Sequence, residues 1–484
     1  MILVTLKKKI INSGKWSSIS GVVIILLQLV QTSVVARFVD PSAFGLIGIT
    51  LMIIGFANNV TDLGISGAII QRRHTTKKQL STLYWLNVFS GIFVFFVVWL
   101  IKGQIVQFFR NDSLIGVLSL SSLLFLISPF GQQFQTLMQK ELKFKEISYI
   151  TMCSTLAGTI SSIVLSLANF GVYSLVWGQL TNTILSTVCF VVYGMKQWRP
   201  SLYFNHKELK GYLGFGLYQV GERVVTYFNN NLDVIIIGRF LGAELLGYYT
   251  IAYNLIIIPL TKINPIITKI AFPVFSILQD DNSQLKRGYL NVIRILSTIN
   301  FPLYFGLAAV SPVFIPVFFG EKWGLSVQIT QIMCGVGILR SIANPSGSLV
   351  VAKGLSKLSF MYNSFKTLLQ IPVIFAGAYY GGVKGVAIAY LALKCFYFIS
   401  NYRVVIRRVI GPCFIEYSTL LLKSLSNSLI MAFSVGAVLW VLQPKGIWGL
   451  FALILLGACI YGLLLYKFNP DLMQSLKNKA DIRR

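Results

Sequence analysis

The sequence predicts an all-α polytopic membrane protein of about fourteen transmembrane helices, in two parallel six-helix repeats followed by two C-terminal helices. Three observations carry this: the composition, the spacing of the apolar runs and the distribution of cations. Of 484 residues, 55% are hydrophobic and 12% charged, about half the charged share of a soluble domain. Mean hydropathy is +0.72. Apolar runs near ~20 residues recur from end to end, each able to cross a ~30 Å hydrocarbon core. Connections between them are short.

The expected spans lie near 16–36, 44–66, 80–101, 114–137, 147–168 and 172–195, then 213–238, 244–268, 289–318, 324–350, 358–380 and 383–402, with two more at 420–442 and 446–466. The segment 289–318 is the least regular, because Pro302, Pro312 and Pro316 interrupt it. Lys7 to Lys9 ahead of an apolar run imitate a signal peptide. That run is too long and lacks a small-residue cleavage site, so an uncleaved first span is expected.

Charge sets the orientation. With the N-terminus cytoplasmic, the outer turns carry Arg37, Lys102, Arg110, Arg239, Lys322, Lys384 and Lys445, seven of the 42 Lys and Arg. About thirty face the other side, which places both termini in the cytoplasm. The net charge of +27 is thereby explained by cytoplasmic loops beside anionic lipid. No aromatic-plus-basic module points to nucleic acid. The six cysteines include no CxxC pair and sit in or beside apolar runs, so they read as packing residues and no metal site is expected.

Internal repetition organises the chain. Arg37–Gly45 reads RFVDPSAFG and Arg239–Gly247 reads RFLGAELLG, at an offset of 202; NFGVYSL (169–175) and YGGVKGV (380–386) echo each other at 211. Expected domains are an N-terminal lobe over 1–195, a cytoplasmic linker over 196–212, a C-terminal lobe over 213–408, and two further helices with a tail over 409–484. An even number of helices per repeat gives both copies the same orientation, related by an axis along the membrane normal.

The seventh span carries the strongest functional signal. Gln219, Glu222, Arg223, Thr226, Asn230 and Asp233 recur at steps of three or four, within ~100° of one helical face. Subtracting 202 maps four of them onto Ser17, Ser20, Gln28 and Gln31, a neutral polar stripe on the first span. Glu222 and Arg223 fall ~15 Å in, near the bilayer midplane. Lys366 and Lys394 are also near mid-depth, with Arg294 and Arg340 closer to the cytoplasm. One lobe should therefore present a positive wall and the other a neutral polar one.

A positive wall inside an apolar bundle suits an anionic substrate, with Arg as a bidentate phosphate fork and Lys as a point charge. Two readings stay open for these residues. Arg223, Lys366, Lys394, Arg340, Arg294, Gln219, Asn230, Gln28 and Gln31 line a substrate cavity, or the lysines snorkel and the polar groups glue helices. Glu222 and Asp233 are candidates for a coupling H+ or Na+, or else neutralise cations structurally. There is no P-loop and no cofactor motif. Carboxylates are few and dispersed, and external loops are too short for a glycosyl-transfer site, so no enzyme is expected.

RFVDPSAFG after the first span, DLGISGAIIQRR at 62–73 and NNNLDVIIIGRFLGAELLGYYTIAYNL at 229–255 together resemble the polysaccharide-transporter branch of the multidrug/oligosaccharidyl-lipid/polysaccharide flippase superfamily. That branch includes Wzx-type O-unit flippases, and the resemblance is nearest to colanic-acid-exporter-like members. It covers nearly the whole chain and implies a two-lobed bundle working by alternating access in the bacterial cytoplasmic (inner) membrane. The implied substrate is an undecaprenyl-diphosphate-linked oligosaccharide moved to the outer leaflet for O-antigen, lipopolysaccharide or exopolysaccharide assembly. Membrane lipids and polysaccharide assembly machinery are the implied partners. Asp62, Asp233 and Arg239 are motif positions, with a structural role as open as a functional one. The alternatives are a cation-coupled multidrug or small-solute antiporter, and a membrane-embedded polysaccharide polymerase.

Overall fold

Long apolar runs leave each backbone N–H and C=O with no partner but its own helix, and the chain folds accordingly. A computed structural model describes residues 2–61, 64–72, 75–209, 213–444 and 446–468; the side chains of 2–12, 60, 71, 207, 213–223, 225 and 356 lie outside the description. The first helices are α1 (Ile2–Phe38), α2 (Pro41–Thr61), α3 (Ile65–Gln71), α4 (Lys77–Phe109), α5 (Leu114–Ser121), α6 (Leu123–Lys140), α7 (Phe144–Leu167) and α8 (Val172–Gly194). They are followed by α9 (Leu213–Ile236), α10 (Ala243–Lys262), α11 (Asn264–Ile277), α12 (Asn282–Phe319) and α13 (Gly324–Ala352). The last are α14 (Ser356–Asn401), α15 (Arg407–Ile410), α16 (Phe414–Leu442) and α17 (Gly446–Phe468).

Among the described residues twelve helical segments are long and apolar enough to cross a membrane. One of them, Lys357–Ile410, contains two crossings, because α14 reverses at Gly382 (φ 56°, ψ −144°). Helix α9 adds a further 24 residues, which meets the expected fourteen. Large apolar side chains face outward and polar ones are taken into the interior: Phe93, Leu100, Phe433 and Trp448 are at least two-thirds exposed, while Asn300, Ser297, Thr330 and Gln370 are buried. That inversion marks an integral membrane protein.

Local chemistry sets the helix ends. Thr76 and Gln79 form a reciprocal capping box at the start of α4. Asp281 caps α12, accepting from the Ser283 and Gln284 amides at 2.9 and 3.1 Å. The span expected at 44–66 stops at Thr61, and the left-handed Gly64 (φ 72°) starts the short α3. Helix α11 was not anticipated; Pro265 stands in its first turn, where the missing amide costs nothing.

By backbone contacts the chain divides into two compact units, Met1–Gly247 and Tyr248–Arg484. In the first, α7 and α8 form a hairpin through Gly171 (φ 54°, ψ −130°), zipped by mutual close approach of Gly158 and Gly178. In the second, the two arms of α14 fold back at Gly382 with nearly the same dihedrals, zipped by Gly377 and Gly385. Gly171 and Gly382 are separated by the 211 residues at which the sequence echoes, so the repeat is present in the backbone. The polar linker after α8 is anchored at its start. Trp198 is buried against Tyr84 and Phe134, and Trp85 donates to the Ser201 carbonyl at 2.9 Å.

The nine-residue motif pair also packs on itself. A Cβ added to Gly45 would lie 1.7 Å from the Ala243 carbonyl oxygen, and one on Gly247 1.8 Å from that of Pro41. Pro41 and Gly45 become Ala243 and Gly247 on adding the repeat offset, so the contact is reciprocal, as about a local two-fold axis. Only glycine allows backbones this close.

Helix α12 is the hub of the second unit and is continuous over 38 residues, despite three prolines. Each proline frees the carbonyl four residues earlier, and neighbouring side chains take up two of them. The Thr298 carbonyl, freed by Pro302, accepts the Tyr461 hydroxyl at 2.8 Å. The Ala308 carbonyl, freed by Pro312, accepts from Ser311 Oγ at 2.9 Å and Gln331 Nε2 at 3.4 Å. In α13, Pro345 likewise frees Ser341, whose carbonyl accepts Asn264 Nδ2 at 3.4 Å. Asn264 in turn takes a hydrogen bond from Asn300 at 3.0 Å. Here prolines make inter-helix contacts instead of breaking helices.

Candidate functional site

The α14 hairpin builds a cationic site. Its register brings Tyr362 opposite Ser400 (2.7 Å between hydroxyls) and places the Tyr397 hydroxyl on the Lys366 carbonyl at 2.6 Å. The Lys366 ammonium lies 4.4 Å from the Tyr362 ring centroid and 5.9 Å from that of Tyr397. From the other arm, Lys394 lies 4.4 Å from Tyr390 and 5.1 Å from Tyr397. Tyr362, Tyr390 and Tyr397 are all buried, so two lysines share one aromatic ring within an apolar bundle. Ring quadrupoles attract an ammonium without carrying a negative charge themselves, so these contacts leave the lysines' charge in place.

A cavity of about 200 Å³ opens beside Lys366, lined also by Asn344, Ser346, Asn363, Tyr397 and Asn401. Asn401 donates to Ser346 Oγ at 2.8 Å, tying α14 to α13. Among the described residues of this wall Lys366 is the one amine, and none is a carboxylate. Lys366 and Lys394, predicted separately, are thus brought together.

The remaining predicted residues are dispersed. Arg340 is half-buried and donates to the Tyr253 hydroxyl at 3.3 Å. Arg294 is half-buried on α12. Asn230 and Gln28 are exposed and Gln31 is half-buried. Asp233 is 1% exposed, with one carboxylate oxygen accepting the Val234 amide at 3.0 Å. Arg239 sits on a π-helical turn, Ile237–Leu241, with its guanidinium 5.3 Å from the Phe108 ring. The side chains of Gln219, Glu222 and Arg223, and the whole of Asp62, lie outside the described residues.

The first unit holds a second cavity, of about 290 Å³, that the sequence reading missed. Ser128, Gln132 and Gln135 from α6 face Gln179, Thr183 and Ser186 from α8, with Asn58 contributed by α2. Beside it Gly131 lets the two helices approach, a Cβ there lying 3.0 Å from Thr187 Cα. Among the described residues, none that lines it is ionisable. The signal was available as polar residues at steps of three and four on two spans.

Comparisons with known proteins agree on one group. Residues 34–328 match the family described as "Polysaccharide biosynthesis protein". The chain is 39% identical to the lipopolysaccharide biosynthesis protein WzxC of Escherichia coli (strain K12), over 85% of this chain and 84% of that one. It is 35% identical to the teichuronic acid biosynthesis protein TuaB of Bacillus subtilis (strain 168), over 82% of each. Its fold is similar to that of the lipid II flippase MurJ in an inward closed conformation. The TM-score is 0.75 at 16% identity, covering 96% of this chain and 100% of that one. An inward-facing multidrug resistance MATE family transporter of the MOP superfamily aligns with a TM-score of 0.61 at 16% identity, over 80% and 94%.

Proposed function

The chain belongs to the polysaccharide biosynthesis protein family, and from that premise we propose that it is a flippase, not an enzyme. Its substrate is an undecaprenyl-diphosphate-linked oligosaccharide, carried by alternating access from the cytoplasmic to the outer leaflet of the bacterial inner membrane. The observation that carries the reading is the convergence of Lys366 and Lys394 on Tyr397 beside a cavity whose described wall holds no carboxylate. A diphosphate matches the positive charge that Lys366 brings to this wall, and charge-assisted contacts of this kind are worth about 1.5–3 kcal/mol each. A cavity for cationic drugs needs carboxylates instead, which weighs against the antiporter reading.

Arg223, Arg340 and Arg294 are further proposed phosphate contacts, by depth and charge. Both termini lie in the cytoplasm, a reading the cation bias supports, and transport is coupled to H+ or Na+ through Glu222 or Asp233. The polysaccharide assembly machinery receives the product.

The test is Lys366→Met and Lys394→Met, singly and together, in cells making the polymer. Each single change should cut the flipping rate roughly 10-fold or more, so that lipid-linked intermediates accumulate and surface polymer falls. Lys→Arg at either position should retain part of the activity. Normal polymer from the double variant at normal expression removes this site from the mechanism. Insensitivity of wild-type transport to both ion gradients ends the coupling proposal.

A further inference from the structure

We propose that the cavity between α2, α6 and α8 is a subsite for one uncharged sugar ring of the substrate, chosen by hydrogen bonding alone. The proposal rests on the flippase reading and assigns the part of the substrate that the lysine pair does not explain. A sugar hydroxyl both donates and accepts, and side-chain amides and hydroxyls do the same. Gln132, Gln135, Gln179 and Thr183 therefore offer matched partners from two facing helices. With no ionisable residue among the described residues of its wall, the cavity offers an anion no counter-charge there, and burial without one is costly. Uronic acids and the diphosphate itself are thereby disfavoured.

The lining is also preorganised. Asn87, only 2% exposed, donates to Gln132 Oε1 at 3.3 Å and so fixes that amide. Its own Oδ1 has no hydrogen-bond partner, and neither does Oε1 of the neighbouring buried Gln133. Such polar capacity in an apolar bundle is retained at a cost. The volume of about 290 Å³ is at the small end for ligand pockets, ~300–1,000 Å³, and suits a single ring. Ile54, Leu124 and Phe190 supply apolar surface for the C–H faces of that ring.

Affinity of the full chain in lipid nanodiscs, followed by tryptophan fluorescence, separates the two sites. The four probes are farnesyl diphosphate and farnesyl diphosphate linked to glucose, galactose or glucuronic acid. At least one neutral sugar should tighten binding about 30-fold over farnesyl diphosphate, from two hydrogen bonds near 1 kcal/mol each. Gln135→Leu and Gln179→Leu should each remove about 5-fold of that increment, leaving farnesyl diphosphate affinity as it was. Gln135→Lys should turn the preference toward the glucuronic acid probe. If the wild type binds farnesyl diphosphate but gains nothing from any sugar, the cavity holds only water; the subsite falls and the flippase reading stands. If the Leu variants weaken all probes equally, the subsite also falls. If none of the four probes binds, both readings fall.

Discussion

Replacing Gly45 with Ala should pry apart the starts of α2 and α10. The new Cβ would sit 1.7 Å from the Ala243 carbonyl oxygen, where ordinary contact begins at 3.4 Å. The obstacle is backbone, so no rotamer relieves it, and the helix ends must separate by more than an ångström. Overpacking of this kind costs about 1–3 kcal/mol, a ~5–150-fold shift against the state that makes the contact. Gly247→Ala meets the mirror-image clash with Pro41 and should behave alike. The double variant should cost less than the two together, because one separation relieves both clashes. Spin labels at Phe38→Cys and Phe240→Cys, both exposed positions, report the spacing by double electron–electron resonance once the six native cysteines are replaced. Loss of the shortest distance population, with reduced flipping, is expected. An unchanged distance distribution and normal transport in both single variants would refute the reasoning.

Two further outcomes follow from side chains that complete the backbone. Tyr461→Phe leaves the Thr298 carbonyl, already freed by Pro302, without its 2.8 Å partner. A loss of about 1 kcal/mol is expected for a half-buried acceptor, read as a lower Tm in detergent; an unchanged Tm would show that lipid or water substitutes. The Asp281 carboxyl is held below its usual pKa by the Gln284 amide and then by Ser283. Its folded value is depressed, so its contribution is complete above the unfolded value of ~3.9 and fades as pH falls through the folded one. Asp281→Ala should therefore lower Tm at neutral pH, with the gap to wild type closing in acid; a gap that widens in acid contradicts the capping role.

Much of the fold was legible because transmembrane helices are specified locally. Apolar length marked each span, and the irregular 289–318 segment proved to be the core of the continuous α12. Its prolines misread as interruptions because their freed carbonyls find partners on α13 and α17, which no local pattern reveals. Helix α11 escaped notice since its apolar residues merged with the run before it. The repeat was legible in two short echoes, and similar backbone dihedrals at Gly171 and Gly382 supply its structural counterpart.

The candidate site was legible only in its parts. Lys366 and Lys394 stood out as ionisable residues at membrane depth, a property of position along a helix and hence of sequence alone. Their meeting on Tyr397 depends on the register of the α14 hairpin, set where Gly377 and Gly385 close against each other. The amide-lined cavity needs α2, α6 and α8 side by side, segments far apart in the chain. What the sequence by itself determined is therefore one-dimensional: the number of crossings, the repeat, and which helices carry ionisable residues. Tertiary structure decided which of those residues share a cavity, because convergence depends on close packing between helices that no single helix encodes.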